Sequence, residues 1–293
     1  MEQVTDHEFS YFLGLCVTRG EMTSDRMLIR FRYITPTIKL PPDSDADLAR
    51  KSREYIIDVT TLQQHLGTFF ETQITAEQTE SDFSINVPMR EGSLAQKILV
   101  GVLGTRNFSY KQARVPAAIL SASKDIKRTF LKGVADACSC PTYSDRDQLS
   151  RCRICLDIPF ENWLLPIELC RMMQEDLDVM VDGILWGHPN VRAPNMPNSR
   201  SWAKEHRMRV FATEFQKVGF RFEFKNEILG EFVKWNQTKP LSLKYCWANK
   251  GRERAKPAHN GESDQRIPIG QRQHFNSFRG ICVSIGCCQR EKA

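Results

Sequence analysis

No apolar run in these 293 residues approaches the roughly 18 needed to span a bilayer, so no membrane partner is expected. The segment Met1 to Phe9 has three acidic residues and lacks the basic stretch that opens a signal peptide. A cytoplasmic protein is therefore expected. Neither sign of charge dominates: 41 Lys and Arg against 35 Asp and Glu leave a net +6. That mild excess favours a polyanionic partner over an acid-repelling surface. No local signature of a thiol enzyme surrounds Cys138 or Cys155. Disulfides are not expected either, because thiols stay reduced in the cytosol. The ten cysteines then point to metal binding or to plain burial. With 41% hydrophobic and 26% charged residues, the composition is ordinary for a globular protein able to bury one large core or two modest ones.

Periodicity divides the chain. Residues 8–21 begin with a helical apolar face of Phe9, Phe12, Leu13, Leu15 and Cys16, and Gly20 supplies a stop. In MLIRFRYIT, Leu28, Arg30 and Arg32 alternate with Ile29, Phe31 and Tyr33, the period of a strand. A helix is expected over 48–70, a strand at DFSINVP, and a helix at SLAQKILVGVLG ending at Gly104. The order then restarts. VPAAILSASKDIKRTFLKGVADACS repeats the opening helix-and-stop signal, RCRICLDIP predicts a strand, NWLLPIELCRMMQEDL a helix and VDGILWG a strand. WAKEHRMRVFATEFQKVGF is expected to be helical, FRFEFK extended, and NEILGEFVKWN helical. A repeat of over 100 residues is a domain duplication, not a solenoid. The boundaries read as 1–110, 111–240 and a polar C-terminal module over 241–293.

At the two restart points, Phe12-Leu13-Gly14-Leu15-Cys16-Val17-Thr18-Arg19-Gly20 aligns with Leu131-Lys132-Gly133-Val134-Ala135-Asp136-Ala137-Cys138-Ser139. Both resemble the signature helix of the LAGLIDADG homing endonuclease family, and "FLKGVADACS" is close to its common form. The resemblance spans roughly residues 8–236. It implies an α+β fold of two fused αββαββα repeats, whose signature helices pack about a pseudo-two-fold axis to form a saddle on double-stranded DNA. Glycines at the third position, Gly14 and Gly133, would let two helix backbones approach closely. Both repeats lie in one chain, so a monomer with an internal pseudo-dimer is expected.

In that family each helix ends on an acidic residue, and the two carboxylates share divalent ions, Mg²⁺ here, which activate water and stabilise the leaving oxygen. In this chain the eighth motif position is Arg19 in one copy and Cys138 in the other. Glu21, one residue on, and Asp136, two residues back and about 200° around the helix, are the candidate catalytic carboxylates. The resemblance places DNA contacts on the strands after each motif, at Arg30 and Arg32 in the first copy and Arg151 and Arg153 in the second.

Two cysteine sets suggest metal. Cys246, His259, Cys282 and Cys287, spaced C-x12-H-x22-C-x4-C in a segment poor in core residues, suit tetrahedral structural Zn²⁺, with His274 and Cys288 as alternatives. The opposing reading places Cys282 and Cys287 in an apolar helix with Phe275, Phe278 and Ile281. Cys138, Cys140, Cys152 and Cys155 resemble a metal ribbon by count, yet Cys152 and Cys155 are three apart on an expected strand and point to opposite faces. Three functions remain open: a metal-dependent DNA endonuclease, a DNA-recognition or regulatory protein on the same scaffold without cleavage, and a zinc-stabilised interaction module.

Overall fold

A computed structural model of the chain describes residues 6–32, 39–42, 44, 52–78, 82–143, 145–147, 150–189 and 204–239. Its architecture is α+β with antiparallel sheets. Helix α1 (His7–Arg19) leads into β1 (Gly20–Met22) and β2 (Arg26–Arg32), then α2 (Ser52–Phe70), β3 (Thr75–Gln78), β4 (Asp82–Pro88) and α3 (Leu94–Leu103). A short strand β5 (Phe108–Ser109), a single 3₁₀ turn and α4 (Ala117–Leu120) connect to α5 (Lys124–Cys138). There follow β6 (Arg153–Pro159), α6 (Leu165–Arg171) continued by a π turn, β7 (Val181–Pro189), β8 (Lys204–Phe211), α7 (Ala212–Phe215) and α8 (Glu223–Gln237).

The two long sequence-related helices start and stop for local reasons. The Asp6 carboxylate accepts from the Phe9 N–H at 2.7 Å, and Ser123 accepts from Ile126, so each helix has a side-chain N-cap. From Phe9 to Arg19 every residue of α1 is buried, which marks it as a central helix and not an amphipathic surface one. Gly20 ends it in extended conformation, at φ −91° and ψ 137°. Glycine is needed there because a Cβ would lie 2.7 Å from the Cys16 carbonyl oxygen, not because the chain turns left-handed.

The first sheet has the order β3-β4-β2-β1-β5 and the second β6-β8-β7. In β2, Met27, Ile29 and Phe31 are fully buried while Arg26 and Arg30 are exposed, as period-two alternation demands. Each central helix approaches its sheet in the same way. Gly20, the first residue after α1, pairs with Ile29 in the middle of β2; Ser139, the first after α5, bridges Leu156 in the middle of β6.

Two stretches differ from expectation. Residues 204–211 form strand β8 instead of the first half of a helix, with His206, Met208 and Val210 buried and Arg207 and Arg209 on the other face. The alternation HRMRV carries that strand signal, and the β8 ladders to β6 and β7 enforce it. Conversely, FRFEFK is not a strand: Phe222 precedes α8 and Phe224 lies in its first turn. Phe220, Phe222 and Phe224 are buried in alternation, yet the Asn226 N–H already bonds back to the Phe222 carbonyl at 3.0 Å, which commits the stretch to the helix. Strands β1 and β3, three and four residues long, are too short to show a period in the sequence.

Candidate functional site at the helix ends and strand faces

Helices α1 and α5 run side by side in the same direction. Near their starts the Ser10 hydroxyl donates to the Ile126 carbonyl at 2.8 Å. At the middle, a Cβ on Gly14 would overlap the Phe130 carbonyl oxygen and sit 3.0 Å from the Gly133 Cα. A Cβ on Gly133 would in turn overlap the Tyr11 carbonyl oxygen. The two backbones are therefore in direct contact, which no other residue type permits.

At the far end the helices deliver Arg19 and Cys138. Arg19 is 6% exposed; its Nη2 donates to the Asp157 carbonyl of β6 at 3.2 Å and lies 3.5 Å from Glu205 Oε1 of β8. Its Nε has no acceptor among the described residues. Burial pushes the Cys138 thiol up to about 12, with the charge of Arg19 pulling the other way, so Cys138 is a neutral thiol near neutral pH. The Mg²⁺ pair implied by the family resemblance does not suit this position. A divalent cation would stand against a buried guanidinium and be offered an unionised thiol.

The two carboxylates expected to act do not converge. Glu21 sits on β1, half-exposed, and pairs with Arg30 Nη1 of β2 at 3.0 Å. Asp136 is 1% exposed and lies on the side of α5 that faces α8. Its Oδ2 accepts from the Tyr11 hydroxyl at 2.8 Å and from the backbone N–H groups of Arg221 and Phe222 at 3.0 and 3.3 Å, where α8 begins. Burial raises Asp136 to about 6 against the pull of Lys225 and of its donors. The Lys225 ammonium itself is buried and donates to the carbonyls of Asp136 and Ser139 at 2.6 and 2.8 Å, closing the C-terminus of α5. Asp136 thus joins α1, α5 and α8, and does not face solvent.

No protein-family model matches the chain, and no curated protein does.

The strand faces also differ from each other. Arg30 is solvent-exposed, and Arg32 ends the same strand opposite Asp82. Arg151 and Arg153, expected to meet DNA, are instead 5% and 2% exposed. Arg151 pairs with Asp147 at 2.8 Å and Arg153 with Asp182 at 2.9 Å. On the same face of the second sheet Arg207 pairs with Asp157 at 2.7 Å and reaches Asp145 at 3.4 Å. Sequence reasoning misses Asp157, Asp182, Glu205 and Arg207. Reading residues 204–211 as helix hides the face that Arg207 shares with Asp157, although the alternation of β8 is the signal that exposes it.

Cys246, His259, Cys282 and Cys287, with His274 and Cys288, lie outside the described residues. Among the described residues no group of three or more His, Cys, Asp or Glu is placed to hold a metal ion. Cys138, Cys152 and Cys155 are buried, and burial pushes all three thiols up. No described helix is long and apolar enough to cross a membrane.

Proposed function

We propose that the chain binds double-stranded DNA on a LAGLIDADG-type scaffold and does so without cleaving it. The observation that carries this reading is the contact of Gly14 with Gly133 between two parallel helices, each of which runs directly into a sheet. The element order supports it. Residues 7–103 follow αββαββα, and residues 124–237 follow a similar order, with two isolated bridges in place of the first strand, a π turn after α6 and the short helix α7 inserted before α8. Strands β2 and β4 lie side by side and antiparallel within the five-stranded sheet, and the outward face they share carries the arginines that the family resemblance assigns to DNA. The net charge of +6 suits a phosphate-rich partner.

Arg19 and Cys138 at the helix ends favour recognition over hydrolysis, because a buried guanidinium repels the cations that hydrolysis needs and a neutral thiol does not hold them. Since both helices belong to one chain, a single copy forms the pair, and we expect a monomer on DNA. The zinc proposal for the C-terminal segment stands apart from this reading and is tested by metal analysis with thiol titration.

Incubating the purified chain with a randomised duplex library and Mg²⁺ or Mn²⁺ tests the proposal. Salt-sensitive retention with intact strands is expected. Strand breaks that disappear in Glu21→Gln would replace it with a nuclease. Lack of retention even at low salt would remove the DNA reading altogether.

A further inference from the structure

The two outward strand faces are not equivalent. On the first sheet, Arg30 stands opposite Ser84 of β4, which stands opposite Glu77 of β3; in the next row Leu28 stands opposite Asn86, which stands opposite Thr75, and Arg26 stands opposite Pro88. Paired residues share a face, so Arg26, Arg30, Ser84, Asn86 and Thr75 lie on one surface with Leu28, Pro88 and the carboxylates of Glu21 and Glu77. Arg26 and Arg30 are exposed on it. The ion pair of Arg30 with Glu21 has side chains 51% and 35% exposed. Such a pair contributes little and exchanges readily for a phosphate or a guanine edge.

On the second sheet the corresponding arginines are committed. Arg153 with Asp182 and Arg207 with Asp157 form ion pairs whose side chains are all buried or nearly so. Arg209 lies 4.0 Å from the same Asp182. Pulling one of these guanidinium groups out to a phosphate would strand a buried carboxylate, which is strongly destabilising. Arginines lie on the strands after the signature helix in both halves, but Arg26 and Arg30 of β2 are exposed while Arg153 and Arg207 are held in buried pairs.

Resting on the proposed duplex binding, we propose that, of the two described sheet faces, the first forms the DNA interface, through Arg26 and Arg30 of β2 with Ser84 of β4 and Thr75 of β3 beside them, and that the arginine–aspartate lattice of the second sheet is structural.

Arginine labelling with phenylglyoxal, read by mass spectrometry on the full chain with and without a retained duplex, separates the faces. Arg26 and Arg30 are expected to label in the free chain and to lose label on DNA, while Arg153 and Arg207 resist label in both. In Arg26→Gln/Arg30→Gln, whose sites are exposed and whose fold should persist by circular dichroism, the slope of log affinity against log salt should fall by about 2. Retention by the wild-type chain with an unchanged slope in this variant would overturn the one-sheet proposal while leaving DNA binding intact. Labelling of Arg153 or Arg207 in the free chain that DNA suppresses would overturn it as well. A wild-type chain that retains no duplex would remove both proposals together.

Discussion

Arg19 on the last turn of α1 and Glu205 on β8 lie far apart in sequence and 3.5 Å apart in space, with both side chains sealed from solvent. The pair ties the end of one central helix to the middle strand of the sheet that follows the other. A buried charge of either sign without its partner is costly, whereas removing both can be nearly neutral.

Glu205→Gln is therefore expected to lower stability by about 3–5 kcal/mol, because it leaves the Arg19 guanidinium short of a counter-charge. Arg19→Met in the same chain should recover most of that loss. Urea unfolding of the two single variants and the double variant gives the coupling. A coupling energy near zero would show that the pair is not a unit.

The glycine contact makes a sharp contrast with a third helical glycine. Gly14→Ala or Gly133→Ala must push two helix backbones apart and should cost about 3 kcal/mol or prevent folding. Gly101 in α3 has nothing within 4 Å of a Cβ, and Gly101→Ala should stabilise by about 0.5–1 kcal/mol. Thermal melts of the three variants decide this. Equal effects at all three sites would mean the central helices do not touch at Gly14 and Gly133.

Two buried groups give opposite pH dependences. Burial raises Asp136 to about 6, so its contribution is fully present below the ordinary carboxylate range and is lost as pH rises through 6. That loss is about 3 kcal/mol for a shift of about two units. Burial holds His206, packed against Trp163 and Trp186, down at about 3, so its contribution is present above about 6.5 and is lost as pH falls towards 3. Between about pH 4 and 6 the two slopes offset each other. His206→Phe, which fits the aromatic cluster, should expose the Asp136 slope: the variant becomes less stable across that window as pH rises, while the wild type changes little. Denaturant titrations at each pH would show parallel curves for the two proteins if His206 is not buried in its neutral form.

Thiol chemistry should follow burial. Cys16, Cys138, Cys152 and Cys155 are buried with thiols pushed up, and should resist iodoacetamide at about pH 8 in the native chain, then label on unfolding. Cys140, only half-buried, should react before them. Rapid native labelling of Cys138, mapped by mass spectrometry, would be incompatible with its burial at the end of α5.

Much of the secondary structure is local information that the sequence holds by itself. The apolar periodicity of α1, α5 and α8, the alternation of β2, β4 and β6, and the repeated glycine at the third motif position all act within a few residues of themselves. They suffice to anticipate an α+β chain with two related helices. Short strands such as β1 escape because three residues cannot establish a period. Residues 204–211 read as helix because the aromatic and charged run continues into the short helix α7; the HRMRV alternation is the local strand signal, and pairing with β6 and β7 decides in its favour. The roles of side chains are decided later still. Arg153 and Arg30 look alike in sequence, each on a strand after a signature helix. Asp182 and Asp157 arrive from distant positions and hold the second-sheet arginines, while β4 sets only Ser84 opposite Arg30. Asp136 likewise resembles a ligand by its place in the motif, but Tyr11 and the start of α8 close over it. Which charges remain available depends on what packs against them across the sheets, and no local pattern encodes that.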